Sequence, residues 1–354
     1  MDKIINYTNI ENPQKSRYLI QSLPLMFTKI NISLFSLLTF SASLFAQQMN
    51  ITRDTSFTTY SAFKSAIKKY PFISIAKPAV PGNISSQTNI AYSSLGKRLL
   101  QLDAFYPTVK SVKAVPAVLF IFGGGWRSGN RWQHVPMAQQ VASRGYVTFT
   151  ADYRLSTEAL YPAAVSDLKT ALRWIRANAI KFNVDTNKIA VWGFSAGGQL
   201  ATLIGTTAGS TLFAGDGRYK KYSDKVQAII DVDGTLAFIH PESGEGNDAK
   251  GKSAATYWFG FNKTERPDLW NQAGALNHVS GTTPPIEFIN SSVDRMHAGR
   301  NDMIHKMDSL GIYSEVHSLP DTPHAFNLFN PWFEQTMEFT VKFLDKTLKG
   351  IKSK

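Results

Sequence analysis

The sequence has 354 residues, 43% of them hydrophobic and 18% charged, enough to bury the core of one large domain without requiring two. It contains no cysteine, which excludes disulfide staples, a thiol nucleophile, zinc–thiolate sites and lipid attachment at a lipoprotein cysteine. The formal net charge of +12 is scattered, and no basic run interleaves with aromatics as a nucleic-acid surface requires, so the charge reads as a solvated face that would favour an acidic polysaccharide.

In chain order, Lys29 precedes an apolar segment at 30–46 that Ser and Thr dilute, followed by polar Gln47-Gln48. This is the pattern of a cleaved signal peptide over residues 1–46, short for a membrane span. Leu44 departs from the small residue usual before a cleavage point. Residues 1–25 are long for the charged leader, and Met26 makes a more ordinary start. Removing residues 1–46, with four basic and two acidic side chains, leaves +10. The expectation is a secreted or periplasmic chain with no stable membrane anchor once mature.

Residues 47–88 read as an N-terminal extension packed on the domain, with a helix at 60–69 and a link punctuated by Pro71, Pro78, Pro81 and Gly82. Two antiparallel strands follow at 89–94 and 98–105. The continuous apolar run at 115–122 predicts a central strand buried on both faces, ending in Gly123-Gly124-Gly125-Trp126. A helix at 135–143 and a strand at 146–151 come next. Then comes a strongly amphipathic helix at 163–181, with Val165, Leu168, Leu172, Ile175 and Ala179 on one stripe and Pro162 at its start. A strand at 188–192 and a helix bearing Leu200, Leu203 and Ile204 flank Gly193-Phe194-Ser195-Ala196-Gly197. Further strands are expected at 226–231, 285–290 and 313–318, with helices at 303–310 and 332–348. A stretch at 235–283, rich in Gly, Pro and aromatics, breaks the alternation as a cap-like insertion. Strands alternating with helices predict a mostly parallel, doubly wound sheet flanked by helices, with 89–350 as one catalytic domain. Ligands bind such sheets at the C-terminal ends of the strands.

A G-x-S-x-G turn arises by chance in roughly one chain in eight of this length, so its neighbours decide its meaning. Between a strand and a helix it reads as a nucleophile elbow. Ser195 is thrust out beside a helix N-terminus that favours negative charge, and Gly193 and Gly197 leave room for the sharp turn. The triple glycine after the third strand reads as an oxyanion hole, with backbone N–H groups joined by that of Ala196. His324, in the loop between the last strand and the last helix, stands where the general base belongs in this chain order. Asp294, after the strand at 285–290, best fits the acid that orients the imidazole. Asp231 and Asp233, after the preceding strand, are the alternatives.

Four runs carry a family resemblance: Phe122-Gly123-Gly124-Gly125-Trp126, Ala151-Asp152-Tyr153-Arg154-Leu155-Ser156, Tyr161-Pro162-Ala163-Ala164-Val165-Ser166-Asp167 and Gly193-Phe194-Ser195-Ala196-Gly197-Gly198. Together they resemble the α/β-hydrolase esterases. Within that group the chain looks most like secreted bacterial acetyl-esterase and feruloyl-esterase-like enzymes acting on plant or algal polysaccharides, over residues 89–350. The resemblance implies the α/β-hydrolase fold, Ser195 as nucleophile, His324 as base, Gly124, Gly125 and Ala196 as oxyanion donors, and no metal or organic cofactor. The sequence departs from the pattern at Phe122, where a loop-ordering histidine is usual. Some relatives lack an aspartate at the position of Asp294, which leaves the acid open.

Trp126 and Trp332, with Trp132 and Trp258, are candidates to line the cleft and stack on sugar rings. Arg295, Arg300 and Lys252 would suit uronate or sulfate groups, although ordinary surface charge is the better explanation of them. The sequence thus reads as a serine carboxylesterase removing O-acetyl groups from a polysaccharide. A lipase-like or peptide-bond hydrolase and a non-catalytic carbohydrate-binding protein are the rivals.

Overall fold

The computed structural model describes residues 54–79, 82–215 and 217–351. The expected leader over residues 1–46, its cleavage point and the start at Met26 lie outside these residues.

Where the sequence alternates apolar runs with amphipathic stretches, the chain lays down strand and helix in turn. After a short β1 (Ser74–Ile75), a long hairpin is formed by β2 (Ile84–Leu95) and β3 (Arg98–Pro107). Then come β4 (Val115–Ile121), β5 (Val147–Ala151), β6 (Val184–Phe194), β7 (Ala228–Val232), β8 (Ile286–Asn290) and β9 (Ser314–Ser318). They make one eight-stranded sheet in the order β2-β3-β5-β4-β6-β7-β8-β9. From β5 to β9 every pairing is parallel, and β3 alone runs against its neighbours. A two-residue β10 (Phe329–Asn330) pairs with β1 in a separate ribbon.

β4 and the 189–194 end of β6 carry no polar side chain because both faces of the sheet are covered there. Ala117, Leu119 and Ile121 of β4 and Ile189 and Val191 of β6 face one side. There they meet Leu168, Leu172 and Ile175 of α3 (Ala163–Ala177) and Leu200, Leu203 and Ile204 of α5 (Ala196–Thr206). The intervening Val118, Phe120, Ala190, Trp192 and Phe194 face the other side. Their partners are Met137 and Val141 of α2 (Val135–Ser143) and Phe343 and Leu344 of the last helix, α9 (Trp332–Leu344). Burying each of the larger of these side chains contributes about 1.5–3 kcal/mol. The helix expected over 163–181 is broken at Asn178, with a short α4 (Ala179–Phe182) completing it. The last helix ends at Leu344 and passes into a wider turn at Asp345–Lys349.

The motif residues after β5 are structural. Asp152 pairs with buried Arg131 at 2.6 Å, and Arg154 grips Asp167 of α3 through contacts of 2.7 and 2.8 Å. Residues of the N-terminal extension pack on the helix-α9 side of the sheet: α1 (Thr59–Ala66) is followed by Tyr70, Ile73 and Ala76, all in that core layer. Trp332, expected in the cleft, belongs to this packing. It is 8% exposed and lies edge-on to Tyr70 at 5.1 Å and to Phe72 at 5.7 Å, away from the cavity described below. It opens α9, the helix that covers the sheet face, and this position draws its ring into the core. The aromatic stretch after β7 forms α6 (Ala254–Phe259) and α7 (Pro267–Gln272), and α8 (Arg300–Ser309) follows β8. Trp258, Phe259 and Trp270 sink into the opposite core layer.

Candidate active site

Ser195 sits in the turn from β6 into α5 with φ 57° and ψ −122°. A non-glycine residue holds such a conformation only where its surroundings impose it, at a cost on the order of 1–3 kcal/mol. Steric closeness imposes it here. A Cβ on Gly193 would stand 1.9 Å from the Gly197 carbonyl oxygen, and one on Gly197 would stand 2.1 Å from that of Ile121. Only glycine lets strand and helix meet this tightly. The Ser195 N–H donates to the Val232 carbonyl at 2.8 Å, tying the turn to the end of β7.

His324 reaches the serine from the loop between β9 and α9. Its Nε2 lies 2.8 Å from Ser195 Oγ and its Nδ1 lies 2.9 Å from Asp233 Oδ2. With Nδ1 donating to the carboxylate, Nε2 is left to accept the serine proton. Asp233 is buried. Its Oδ1 accepts the Ser291 N–H at 2.8 Å, with the Asn290 amide at 3.5 Å. Arg300 donates to the Asn290 Oδ1 at 2.7 Å and so orients that amide.

The carboxylate beside His324 is therefore Asp233, not the expected Asp294. Asp294 lies in a one-turn helix, its side chain 96% exposed, and among the described residues it reaches only His297, at 3.9 Å. The reason is the lateral order of the sheet: β7 lies directly beside β6, whereas β8 is one strand further out. Asp231, the other alternative, accepts the Gly234 N–H at 2.8 Å beneath the first turn of α5. Burial pushes its carboxyl well above the usual carboxylate range.

Gly124, Gly125 and Ala196 line one cavity with Ser195 and His324, a space of about 280 Å³. Their N–H groups find no acceptor among the described residues. That of Ala196 is also the first of α5, at the positive end of the helix dipole. The glycine loop is held from behind. Gln133 grips Gly123 on both sides, accepting its N–H at 2.8 Å and donating to its carbonyl at 3.3 Å. Phe122, in place of the usual histidine, stacks on Tyr153 at 4.2 Å, and the Tyr153 hydroxyl donates to the Phe122 carbonyl at 3.0 Å. Sequence reasoning missed Gln133, since a glutamine ten residues past a glycine loop carries no signal. Gln133→Ala should lower kcat by about 10- to 100-fold with little change in KM, less than the roughly 10²–10³ lost on deleting a donor outright. Steady-state kinetics on a soluble ester check this.

Trp126 borders the cavity but is 3% exposed. It stacks on Trp258 at 4.8 Å and donates from its indole N–H to Gln199 Oε1 at 2.9 Å, so it braces the floor. Trp258 itself is fully buried, while Trp132 is exposed on a neighbouring groove. Of the three cations considered, Arg295 borders the cavity and Arg300 and Lys252 do not. The insertion contributes Thr235, Glu245 and Ala254 to the wall, and the N-terminal extension contributes Ser56 and Phe57. The extension is pinned there by an ion pair between Asp54 and Arg127, the residue after Trp126. Nothing in the sequence places residue 57 beside residue 195.

Chemically, this arrangement supplies a hydroxyl with a base 2.8 Å away, a carboxylate behind that base, and unpaired backbone donors on residues that line the same space. Those are the parts that acyl transfer needs.

The profile of the BD-FAE family matches residues 102–299. Esterase LipC of Mycobacterium tuberculosis (strain ATCC 25618 / H37Rv) is 30% identical over 198 residues, 54% of this chain and 48% of that protein. The chain spans about half the length of the curated relatives it matches first. Among solved structures, a truncated form of carbohydrate esterase from gut microbiota superposes with a TM-score of 0.65 at 22% identity, covering 77% of this chain and 100% of that one. The acetyl ester-xyloside bifunctional hydrolase from Caldicellulosiruptor lactoaceticus superposes with a TM-score of 0.59 at 24% identity, covering 76% and 98%. The fold is the one these two hydrolases share.

Proposed function

The chain belongs to the BD-FAE family, and from that premise we propose that it is a serine carboxylesterase that removes acetyl groups from plant or algal polysaccharide. The observation that carries the reading is the unbroken relay from Ser195 Oγ through His324 to Asp233, at 2.8 and 2.9 Å, beside unpaired backbone donors. In this reading Ser195 Oγ attacks the ester carbonyl carbon while His324 Nε2 takes its proton. Asp233 holds the imidazole in the tautomer that accepts at Nε2 and stabilises the imidazolium. The N–H groups of Gly124, Gly125 and Ala196 hold the oxyanion. His324 then gives its proton to the departing sugar oxygen, leaving an acyl-enzyme. Water, deprotonated by the same Nε2, attacks the acyl carbon, and acetate leaves as Ser195 regains its proton.

Two features support a short acyl group on a sugar. The cavity, at about 280 Å³, lies at the small end for ligand sites and leaves little room for a long acyl chain. The related structures include a carbohydrate esterase and an acetyl ester-xyloside hydrolase. Arg295 at the rim suits a glycan bearing carboxylate or sulfate groups. The apolar segment behind Lys29 supports a secreted or periplasmic setting.

The test is acetate release from acetylated xylan, pectin and algal polysaccharide, run beside p-nitrophenyl acetate, p-nitrophenyl decanoate and a peptide anilide. Acetate should be released from at least one polysaccharide, and the acetyl ester should turn over at least about tenfold faster than the decanoyl ester, a ratio equivalent to about 1.4 kcal/mol of barrier. Faster turnover of the decanoate or the anilide would point to a lipase or amidase instead. Absence of turnover on every substrate would favour a binding protein.

A further inference from the structure

At the edge of the sheet, β8 and β9 gather three groups that the ester chemistry does not use. Glu287 pairs in register with Glu315, and His317, two residues on, shares the face of Glu315. His317 Nε2 lies 3.4 Å from Glu315 Oε1 and 3.5 Å from Glu287 Oε1. One ligand atom from each residue lies within 4.8 Å of the others.

Glu287 is the telling member. It is fully buried, and neither of its carboxylate oxygens accepts a hydrogen bond among the described residues. A buried carboxylate without donors is strongly unfavourable unless a cation or a proton meets it. Burial, with the charge of Glu315 added, pushes the Glu287 carboxyl well above its ordinary range. The other two groups are braced as ligands are. The Tyr313 hydroxyl donates to Glu315 Oε2, with Lys346 Nζ 4.0 Å from that oxygen, which leaves Oε1 facing the cluster. The His317 ring is stacked on Phe339 at 4.0 Å and 4°, which fixes its plane.

The spacing suits a particular ion. With zinc–ligand bonds of about 2.0–2.1 Å in a tetrahedron, adjacent ligand atoms stand about 3.3–3.4 Å apart. The two contacts at His317 Nε2, 3.4 and 3.5 Å, match two edges of such a tetrahedron. An imidazole with two carboxylates selects a first-row transition ion over calcium or magnesium, which prefer all-oxygen shells. Glu315 and His317 are partly exposed, which gives the ion a path in and leaves the fourth position to water.

We propose that Glu287, Glu315 and His317 bind a divalent metal ion of the zinc type, which clamps the edge strand β9 to β8. The site is separate from the catalytic cavity, none of whose lining residues belongs to it. It therefore stands or falls independently of the esterase reading.

The test uses the chelator-stripped protein titrated with zinc chloride, followed by calorimetry and thermal unfolding. One saturable site is expected. At a hundredfold excess over Kd the unfolding midpoint should rise by about 4 °C for a chain of this size. Calcium and magnesium chloride should give no such shift. Both the binding and the shift should disappear in His317→Ala and in Glu287→Gln, while ester turnover, which also reports that the variants are folded, stays at the wild-type rate. Absence of a saturable site in the wild type, or binding that persists undiminished in both variants, would overturn the proposal.

Discussion

Asp233→Asn should lower kcat for ester hydrolysis by about 10⁴, or about 5.5 kcal/mol of barrier, while Asp294→Asn leaves kcat within about a factor of two of wild type. The contrast follows from surroundings. Asp233 is buried, held by the Ser291 N–H, and lies 2.9 Å from His324 Nδ1. An amide there keeps the shape but presents an N–H to Nδ1. That selects the imidazole tautomer whose Nε2 carries the proton, and Nε2 then cannot accept one from Ser195. The amide also leaves the imidazolium of the transition state without a counter-charge. Asp294 is solvated and touches neither His324 nor Ser195, so its charge is screened and its loss is felt weakly. Asp231→Asn is a useful third variant. Burial already holds its carboxyl above the ordinary range, and the Gly234 N–H it accepts is a bond an amide oxygen keeps, so little effect on rate is expected. A 10⁴ loss at Asp294 and none at Asp233 would refute this assignment.

Ser195→Ala should remove on the order of 10⁶ in kcat, the scale seen when a serine hydrolase loses its nucleophile while the oxyanion hole remains. The folded state should barely notice. Alanine keeps the Cβ, so the strained turn at φ 57° is neither relieved nor worsened, and the one hydrogen bond lost at the hydroxyl is worth about 1 kcal/mol. A midpoint of unfolding within about 2 °C of wild type, together with turnover reduced by about 10⁶, is the expected pair of results. Retained turnover would mean that another group attacks the ester.

These two variants also mark where sequence ceased to be informative. The central strand at β4 was legible because a continuous apolar run has few other uses, and the amphipathic stripe of α3 was legible through its period. The elbow was legible because glycine on both sides of Ser195 is a steric demand, and in the structure a Cβ at either glycine would fall 1.9 or 2.1 Å from a backbone oxygen. The acid was harder to place. Asp233 and Asp294 each follow a strand, and chain order does not say which strand lies beside β6. That lateral order is fixed by crossover packing and appears only in three dimensions. Trp332 failed for a related reason: its position before a helix does not reveal which side of the sheet that helix covers. Gln133 and Phe57 act through contacts that bear no relation to sequence spacing. Glu287 hides in a five-residue strand where a single acidic residue reads as solvent-facing, yet it is fully buried.

The central claim is that Ser195 is a nucleophile activated by His324, and covalent labelling tests it most directly. Diethyl p-nitrophenyl phosphate mimics the tetrahedral phase of acyl transfer and reacts with a serine only where a base and an oxyanion hole activate it. Incubation with the reagent, intact-mass analysis and peptide mapping should find one phosphoryl group per chain, on Ser195, rising in step with loss of esterase activity. The same treatment of His324→Ala should label Ser195 far more slowly. Esterase activity that survives with Ser195 fully labelled, or inhibition that tracks modification of a different residue, would contradict the account.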